Sequence, residues 1–260
     1  TIHDLSAKEL LACLELAARC KRARATGRGA LAGKVLALVF QKPSIRTRVS
    51  FEVAIASLGG ASTYLAPEDI QLDTREPIKD VARTLSRYVQ GIIVRTFRHD
   101  QVEEFARYAS VPVINGLSDQ HHPCQALADL QTMRERFGRL DGLTVAYIGD
   151  GNNVLHSLAQ AAAVLGMRLR VATPDGYRPD PAIWEEASAR AASQRGLLSW
   201  TRDPAQAVHD ADVIYTDVWT SMGQEGEREQ RTAAFRAFQI NGALVARAKR
   251  GCLVMHCLPA

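Results

Sequence analysis

The sequence has 260 residues, enough for one large domain or two of ordinary size. Its 47% hydrophobic and 23% charged residues suit a soluble globular protein, and with only 6% aromatic residues the core has to be built from Ala, Leu, Val and Ile. The net charge of +4 is spread along the chain rather than gathered in a stripe, which gives no case for nucleic acid, and no apolar run approaches the roughly 18 residues a membrane span needs.

Short Val/Ile/Leu-rich runs alternate with helical patterns, so the expected class is α/β: two domains, each a mostly parallel sheet flanked by helices. Residues 4–24 read as a helix capped by Asp4 or Ser6. Residues 34–40 read as a buried strand, followed by a helix over 47–58 that stops at Gly59-Gly60. Strands are expected at 62–65, 91–94 and 112–114, and helices at 78–88, 101–109 and 123–137. A second series begins after Leu140-Asp141-Gly142: strands at 143–148, 168–173, 213–216 and 252–255, with helices at 153–165 and 181–194. The domain boundary is therefore placed at residues 138–142, giving domains of 1–139 and 140–260.

The five cysteines, Cys13, Cys20, Cys124, Cys252 and Cys257, are odd in number and match neither a zinc ribbon nor a CxxC pair. Free thiols in a reducing cytoplasm are expected. The start, Thr1-Ile2-His3-Asp4, lacks signal-peptide character.

Five segments carry candidate chemistry. Lys42-Pro43-Ser44-Ile45-Arg46-Thr47-Arg48 lies between a strand and a helix, where unpaired N–H groups, two hydroxyls and Arg46 suit a phosphate. The same residues also suit a capped helix with solvated arginines, and spacing alone does not choose. His122 and Gln125, three apart at a helix start, can donate to a carbonyl or accept from an amide. The paired histidines His121 and His122 raise metal binding, but no third or fourth ligand has suitable spacing. Gly149-Asp150-Gly151-Asn152-Asn153 follows a strand and opens a helix, yet it is not GxGxxG, so a dinucleotide reading is weak. Asp217-Val218-Trp219-Thr220-Ser221-Met222-Gly223 offers a carboxylate for an ammonium group, and Ser221 with nearby N–H groups for a carboxylate. Cys257, in the closing His256-Cys257-Leu258-Pro259-Ala260, could be a nucleophile, a weak donor or a spectator.

Taken together, these segments resemble the aspartate/ornithine carbamoyltransferase family. Ser44-Ile45-Arg46-Thr47-Arg48 is similar to its Ser-x-Arg-Thr-Arg signature, and His122-Pro123-Cys124-Gln125-Ala126-Leu127-Ala128-Asp129 to its second segment. Asp217-Val218-Trp219-Thr220-Ser221-Met222-Gly223 and His256-Cys257-Leu258-Pro259 resemble the ornithine branch, since the aspartate branch has proline where Cys257 stands. The resemblance implies an active site in the interdomain cleft. It implies transfer of a carbamoyl group from carbamoyl phosphate to the δ-amine of L-ornithine, with no cofactor and no metal. A related amine, acetylornithine or putrescine, is the nearest alternative acceptor. Ser44, Arg46 and Thr47 would hold the phosphate, with Ile45 contributing backbone where Thr is common. Arg95 would grip phosphate and carbonyl oxygen, and His122 would donate to that oxygen. Gln125 and the backbone at Cys257 and Leu258 would meet the carbamoyl NH2. Asn153, Asp217, Ser221 and Met222 would hold ornithine's α-groups, with Asp217 and Cys257 beside its δ-amine. Cys257 is expected to be the thiol whose alkylation stops turnover, which a lowered pKa would favour. Gln71 aligns with a residue that enters a neighbouring subunit's site, implying a trimer or a multiple of trimers. Family members continue by tens of residues beyond the His-Cys-Leu-Pro segment, so further residues, among them an arginine for carbamoyl phosphate, are expected there.

Overall fold

The computed structural model describes the chain except residues 24, 25, 73, 195 and 221–224. Four strands, β1 (Val35–Phe40), β2 (Ala61–Leu65), β3 (Gly91–Arg95) and β4 (Val113–Leu117), form one parallel sheet in the order β2-β1-β3-β4. Five more, β5 (Thr144–Ile148), β6 (Arg168–Ala172), β7 (Leu197–Thr201), β8 (Val213–Thr216) and β9 (Leu253–His256), form a second parallel sheet in the order β7-β6-β5-β8-β9. Helices connect the strands, as parallel pairing requires.

The apolar runs are explained by burial on both sheet faces. In the first sheet, Ala37, Val39, Ile92 and Val94 pack with Ile78, Val81 and Phe105 on one face, while Leu38, Phe40 and Ile93 pack with Ile55 on the other. In the second, the helix Asn153–Val164 is buried at every residue from Val154 on, which its Ala- and Leu-rich sequence permits. The helix Ile45–Ser57 ends where Gly59 takes a φ of +85°, a left-handed turn that only glycine adopts freely.

The chain divides into two compact units, Ala12–Cys124 and Thr1–Leu11 with Gln125–Ala260. This differs from a division at residues 139 and 140, although that division does separate the two sheets. The physical reason lies in polar ties to the second sheet's unit. The helix Pro123–Phe137 is bonded through Asp129 to Tyr215 and through Arg136 to the Gly251 carbonyl, while Arg190 donates to the His3 and Leu5 carbonyls. Among the described residues, no helix is long and apolar enough to cross a membrane.

Each sheet has one place where its strand order reverses: between β1 and β3 in the first, and between β5 and β8 in the second. Open parallel sheets bind ligands beyond the carboxyl ends of the strands at such points. Three of the five segments singled out in the sequence fall at these two places, since Ser44 follows β1, Asn152 follows β5 and Asp217 follows β8, and Arg95 ends β3; His122 follows the neighbouring β4 and Cys257 the neighbouring β9.

Candidate active site

At the first sheet, Ser44 is extended (φ −165°) and caps the helix Ile45–Ser57. Its Oγ accepts from the Thr47 N–H at 3.3 Å and donates to Thr47 Oγ1 at 3.0 Å. Arg95 Nη1 donates to the same Thr47 oxygen at 3.2 Å, so the end of β3 is tied to the helix start. The register slips by one residue between Val94 and Arg95, which ends regular pairing where the guanidinium is needed. Arg95 is only 6% exposed, and among the described residues its Nε–H has no partner. Burial lowers its pKa to about 10, which leaves it charged at neutral pH. His122 is lowered further, to about 4, by burial first and then by the charges of Arg95 and Lys42. It is therefore a neutral imidazole with one N–H to donate.

The motif's remaining side chains divide. Arg46 is exposed. Arg48 is turned to its own helix, donating to Glu52 at 2.9 Å with its guanidinium 3.7 Å above the Tyr64 ring. Ile45 is 77% exposed, so only its backbone is available for a phosphate. Cys124 is a half-buried thiol whose pKa burial raises to about 11, 3.5 Å from the Asn115 carbonyl. Gln71 caps the short helix Pro67–Ile70 in the left-handed region (φ +48°) and is exposed. For a residue with a side chain that conformation is uncommon.

At the second sheet, Asp217 is 7% exposed and accepts three bonds. Asn152 Nδ2 donates at 2.7 Å, the Val218 N–H at 2.7 Å and the Cys257 thiol at 2.9 Å. Asn152 is held in turn, because its Oδ1 caps the following helix at the Val154 and Leu155 N–H groups and accepts from the Tyr147 hydroxyl. Gly151 makes this turn possible. A Cβ there would lie 2.3 Å from the backbone of Arg178 and Pro179, closer than atoms can come. Asp150 meets Arg231 at 2.7 Å, and Arg231 also donates to the Trp219 carbonyl at 3.1 Å. That anchors the start of the loop that leads into Ser221 and Met222. These two residues lie outside the described residues.

The electrostatics correct one expectation. The Cys257 thiol is not lowered; burial pushes its pKa up, and the charge and hydrogen bond of Asp217 push it further. A thiol facing a carboxylate holds its proton, because the thiolate would sit beside a like charge in a poorly solvated place. Asp217, His256 and Cys257 place ligand atoms within 4.8 Å of one another, a cluster that the sequence spacing did not suggest. In this arrangement they are engaged as hydrogen-bonding groups, with His256 Nδ1 accepting from the Leu258 N–H at 2.9 Å. Leu258 itself has φ +61° and is exposed, a strained conformation worth about 1–3 kcal/mol that recurs at functional sites.

The structure thus brings Ser44, Thr47 and Arg95 into one bonded group, and Asp217 and Cys257 into another. Asn153 opens its helix next to Asn152, but it is Asn152 whose amide bonds Asp217. Asn152, Asp129 and Arg231 had no assigned role in the sequence. Asn152 was legible as a cap residue before a helix, whereas Arg231 lies 81 positions from its partner Asp150.

The chain matches the family described as aspartate/ornithine carbamoyltransferase. Residues 1–135 match its carbamoyl-P binding domain and residues 141–260 its Asp/Orn binding domain. The chain is 54% identical to the ornithine carbamoyltransferase of Thermococcus kodakarensis, over 100% of this chain and 83% of that protein. It is 53% identical, over the same shares, to a Pyrococcus furiosus protein named ornithine carbamoyltransferase, anabolic. The solved structure of ornithine carbamoyltransferase from Pyrococcus furiosus superposes with a TM-score of 0.96 at 53% identity, covering 100% of this chain and 84% of that one. At 32% identity, ornithine transcarbamoylase from Giardia lamblia still superposes with a TM-score of 0.91 over the same shares.

Proposed function

We propose that this chain, which belongs to the aspartate/ornithine carbamoyltransferase family, moves the carbamoyl group of carbamoyl phosphate to the δ-amine of L-ornithine, giving citrulline and phosphate. The observation that carries this reading is Asp217: a buried carboxylate at the second switch point, already held by Asn152 and Cys257 and bonded to no cation among the described residues. Such a group suits an ammonium ligand.

The phosphate sits against Ser44, Thr47, Arg46 and the first N–H groups of the helix, where hydroxyls, charge and helix dipole act together. Arg95, Thr47 and the His122 N–H stabilise the carbonyl oxygen as negative charge develops on it. Gln125 and the backbone carbonyls at Cys257 and Leu258 accept from the carbamoyl NH2. Asn153, Asp217, Ser221 and Met222 hold ornithine's α-amino and carboxylate groups. The neutral δ-amine attacks the carbonyl carbon, a C–N bond forms, the C–O bond to phosphate breaks, and the departing phosphate takes the amine's proton. At a lysine-like pKa of about 10.4, roughly one amine in 2,500 is neutral at pH 7, a cost of about 4.6 kcal/mol. A protonated Cys257 does not add to that cost, whereas a thiolate would have favoured the charged amine.

The exposed, left-handed Gln71 supports a trimer in which it reaches a neighbouring site. Five free cysteines support a reducing, cytoplasmic location, where the product feeds arginine biosynthesis. The test is a citrulline assay with ornithine, acetylornithine and putrescine offered in turn. Turnover with ornithine alone is expected, with a rate that rises between about pH 6 and 9 as the amine loses its proton. Equal use of putrescine would exclude the roles given to Ser221 and Met222, since putrescine has no carboxylate.

A further inference from the structure

We propose that Asp129 is a positioning residue for this reaction: with the Tyr215 hydroxyl holding one of its oxygens, its carboxylate fixes which end of the Gln125 amide meets the substrate. The proposal rests on the carbamoyl-transfer reading and deepens it. Asp129 lies in the middle of the helix Pro123–Phe137, is 4% exposed, and caps nothing. Its Oδ1 accepts from Gln125 Nε2 at 3.0 Å, one helical turn away, and its Oδ2 accepts from the Tyr215 hydroxyl at 2.9 Å, 86 positions away at the end of β8. Tyr215 is itself fully buried and stacks on Tyr147, with ring centroids 5.8 Å apart, so the hydroxyl has one place to be. Among the described residues Asp129 forms no ion pair. A buried carboxylate without a cation costs free energy that an apolar residue or an asparagine would avoid.

Chemistry supplies a reason to keep it. An ionised carboxylate only accepts hydrogen bonds, so of the two ends of Gln125 only the NH2 can face it. The carbonyl oxygen must then point the other way, where it can accept from a carbamoyl NH2. An asparagine at position 129 offers both a donor and an acceptor, and the amide of Gln125 could settle either way round. A protonated Asp129 has the same defect. Burial raises its pKa to about 6, Gln125 and Tyr215 draw it down, and Asp217 pushes it up. The other titratable groups coupled to it are Cys257 beyond β9, Tyr147 on β5 and Tyr215 on β8.

The test is a double-mutant cycle of Asp129→Asn and Gln125→Ala, read by steady-state kinetics and thermal unfolding. Asp129→Asn is expected to lower kcat/KM for carbamoyl phosphate about tenfold or more, the cost of one misdirected hydrogen bond, with the ornithine KM unchanged. In the Gln125→Ala background the same substitution is expected to do nothing further, because the group it orients is gone. As the pH falls through about 6 the wild type should lose activity by about the same factor as Asp129→Asn and then level off, a loss that Gln125→Ala does not show. If Asp129→Asn does not fold, Tyr215→Phe removes only the hydroxyl and takes its place in the cycle. Additive effects of the two substitutions, in an enzyme that makes citrulline, overturn the positioning role alone; a wild type that makes no citrulline overturns the transfer reading beneath it.

Discussion

Two regions of this molecule are built with opposite charge and the same strategy. At the ends of β1 and β3, the shifted bases are pushed down: Arg95 to about 10 and His122 to about 4, each by burial first, with Arg95 and Lys42 adding to the effect at His122. At the ends of β5 and β8, the shifted acids are pushed up: Asp129 to about 6, and Asp150, Cys257, Tyr147 and Tyr215 upward, again by burial first. Each region holds charge in a poorly solvated place, where a ligand of the opposite sign relieves it. In the proposed reaction a phosphate dianion would do this for the first and the α-ammonium group of ornithine for the second. Burying these charges is costly to the empty protein, so ligand binding should also stabilise the fold.

The largest expected effect comes from the first region's central cation. Arg95→Ala should lower kcat by about 100- to 1,000-fold, the roughly 2.7–4 kcal/mol lost when one oxyanion donor is removed elsewhere. The ornithine KM should stay within about twofold, because the acidic region is untouched. Steady-state kinetics checks this, and a raised ornithine KM with unchanged kcat would show that the two regions are not separable in the way their charges suggest.

The sequence made the first of these regions easier to read than the second. Ser44, Thr47 and Arg95 sit at strand–helix joints whose patterns are strong, and eight of the nine strands among the described residues were expected close to where they lie. The strand β7 was not expected, because it is a short edge strand with a partly exposed face and its Ser199 and Thr201 break the apolar run. The helix Ala7–Arg22 starts later than expected: Ser6 and Glu9 bond reciprocally and cap it, while Asp4 closes the short turn before it. In the second region the determining contacts join distant positions, Asp217 with Asn152 and Cys257, and Asp129 with Tyr215. No local period reports such pairs. The direction of the Cys257 shift was illegible for the same reason, since it depends on which charge the fold sets beside the thiol.

Asp217→Asn sharpens the comparison from the other side. It keeps the shape and removes the charge, so ornithine use should weaken by about 1.5–3 kcal/mol, or roughly ten- to a hundredfold. Carbamoyl phosphate binding, measured by calorimetry, should hold within about twofold. Equal loss of both ligands would mean a folding defect. Arg46→Ala should act in the opposite sense and by less, about 1.5 kcal/mol on carbamoyl phosphate alone, because this arginine is exposed and its contact is partly screened.

The smallest effect tests the sign of the second region directly. If Asp217 holds the Cys257 proton in place, removing its charge should release it. In the wild type, iodoacetamide at pH 8 should modify the exposed Cys13 well before Cys257, as peptide mass mapping over time would record. In Asp217→Asn the Cys257 rate should rise severalfold while the Cys13 rate does not change. Burial remains as the larger cause, so the thiol should still fall short of the reactivity of a free cysteine. Ornithine should slow modification of the wild type by covering the thiol. Cys257→Ser should keep substrate binding and slow transfer only severalfold, because the serine hydroxyl can still donate to Asp217. A Cys257 that reacts faster than Cys13 in the unliganded wild type would mean that a cation, and not Asp217, dominates its surroundings, and the contrast between the two regions would fail at its acidic end.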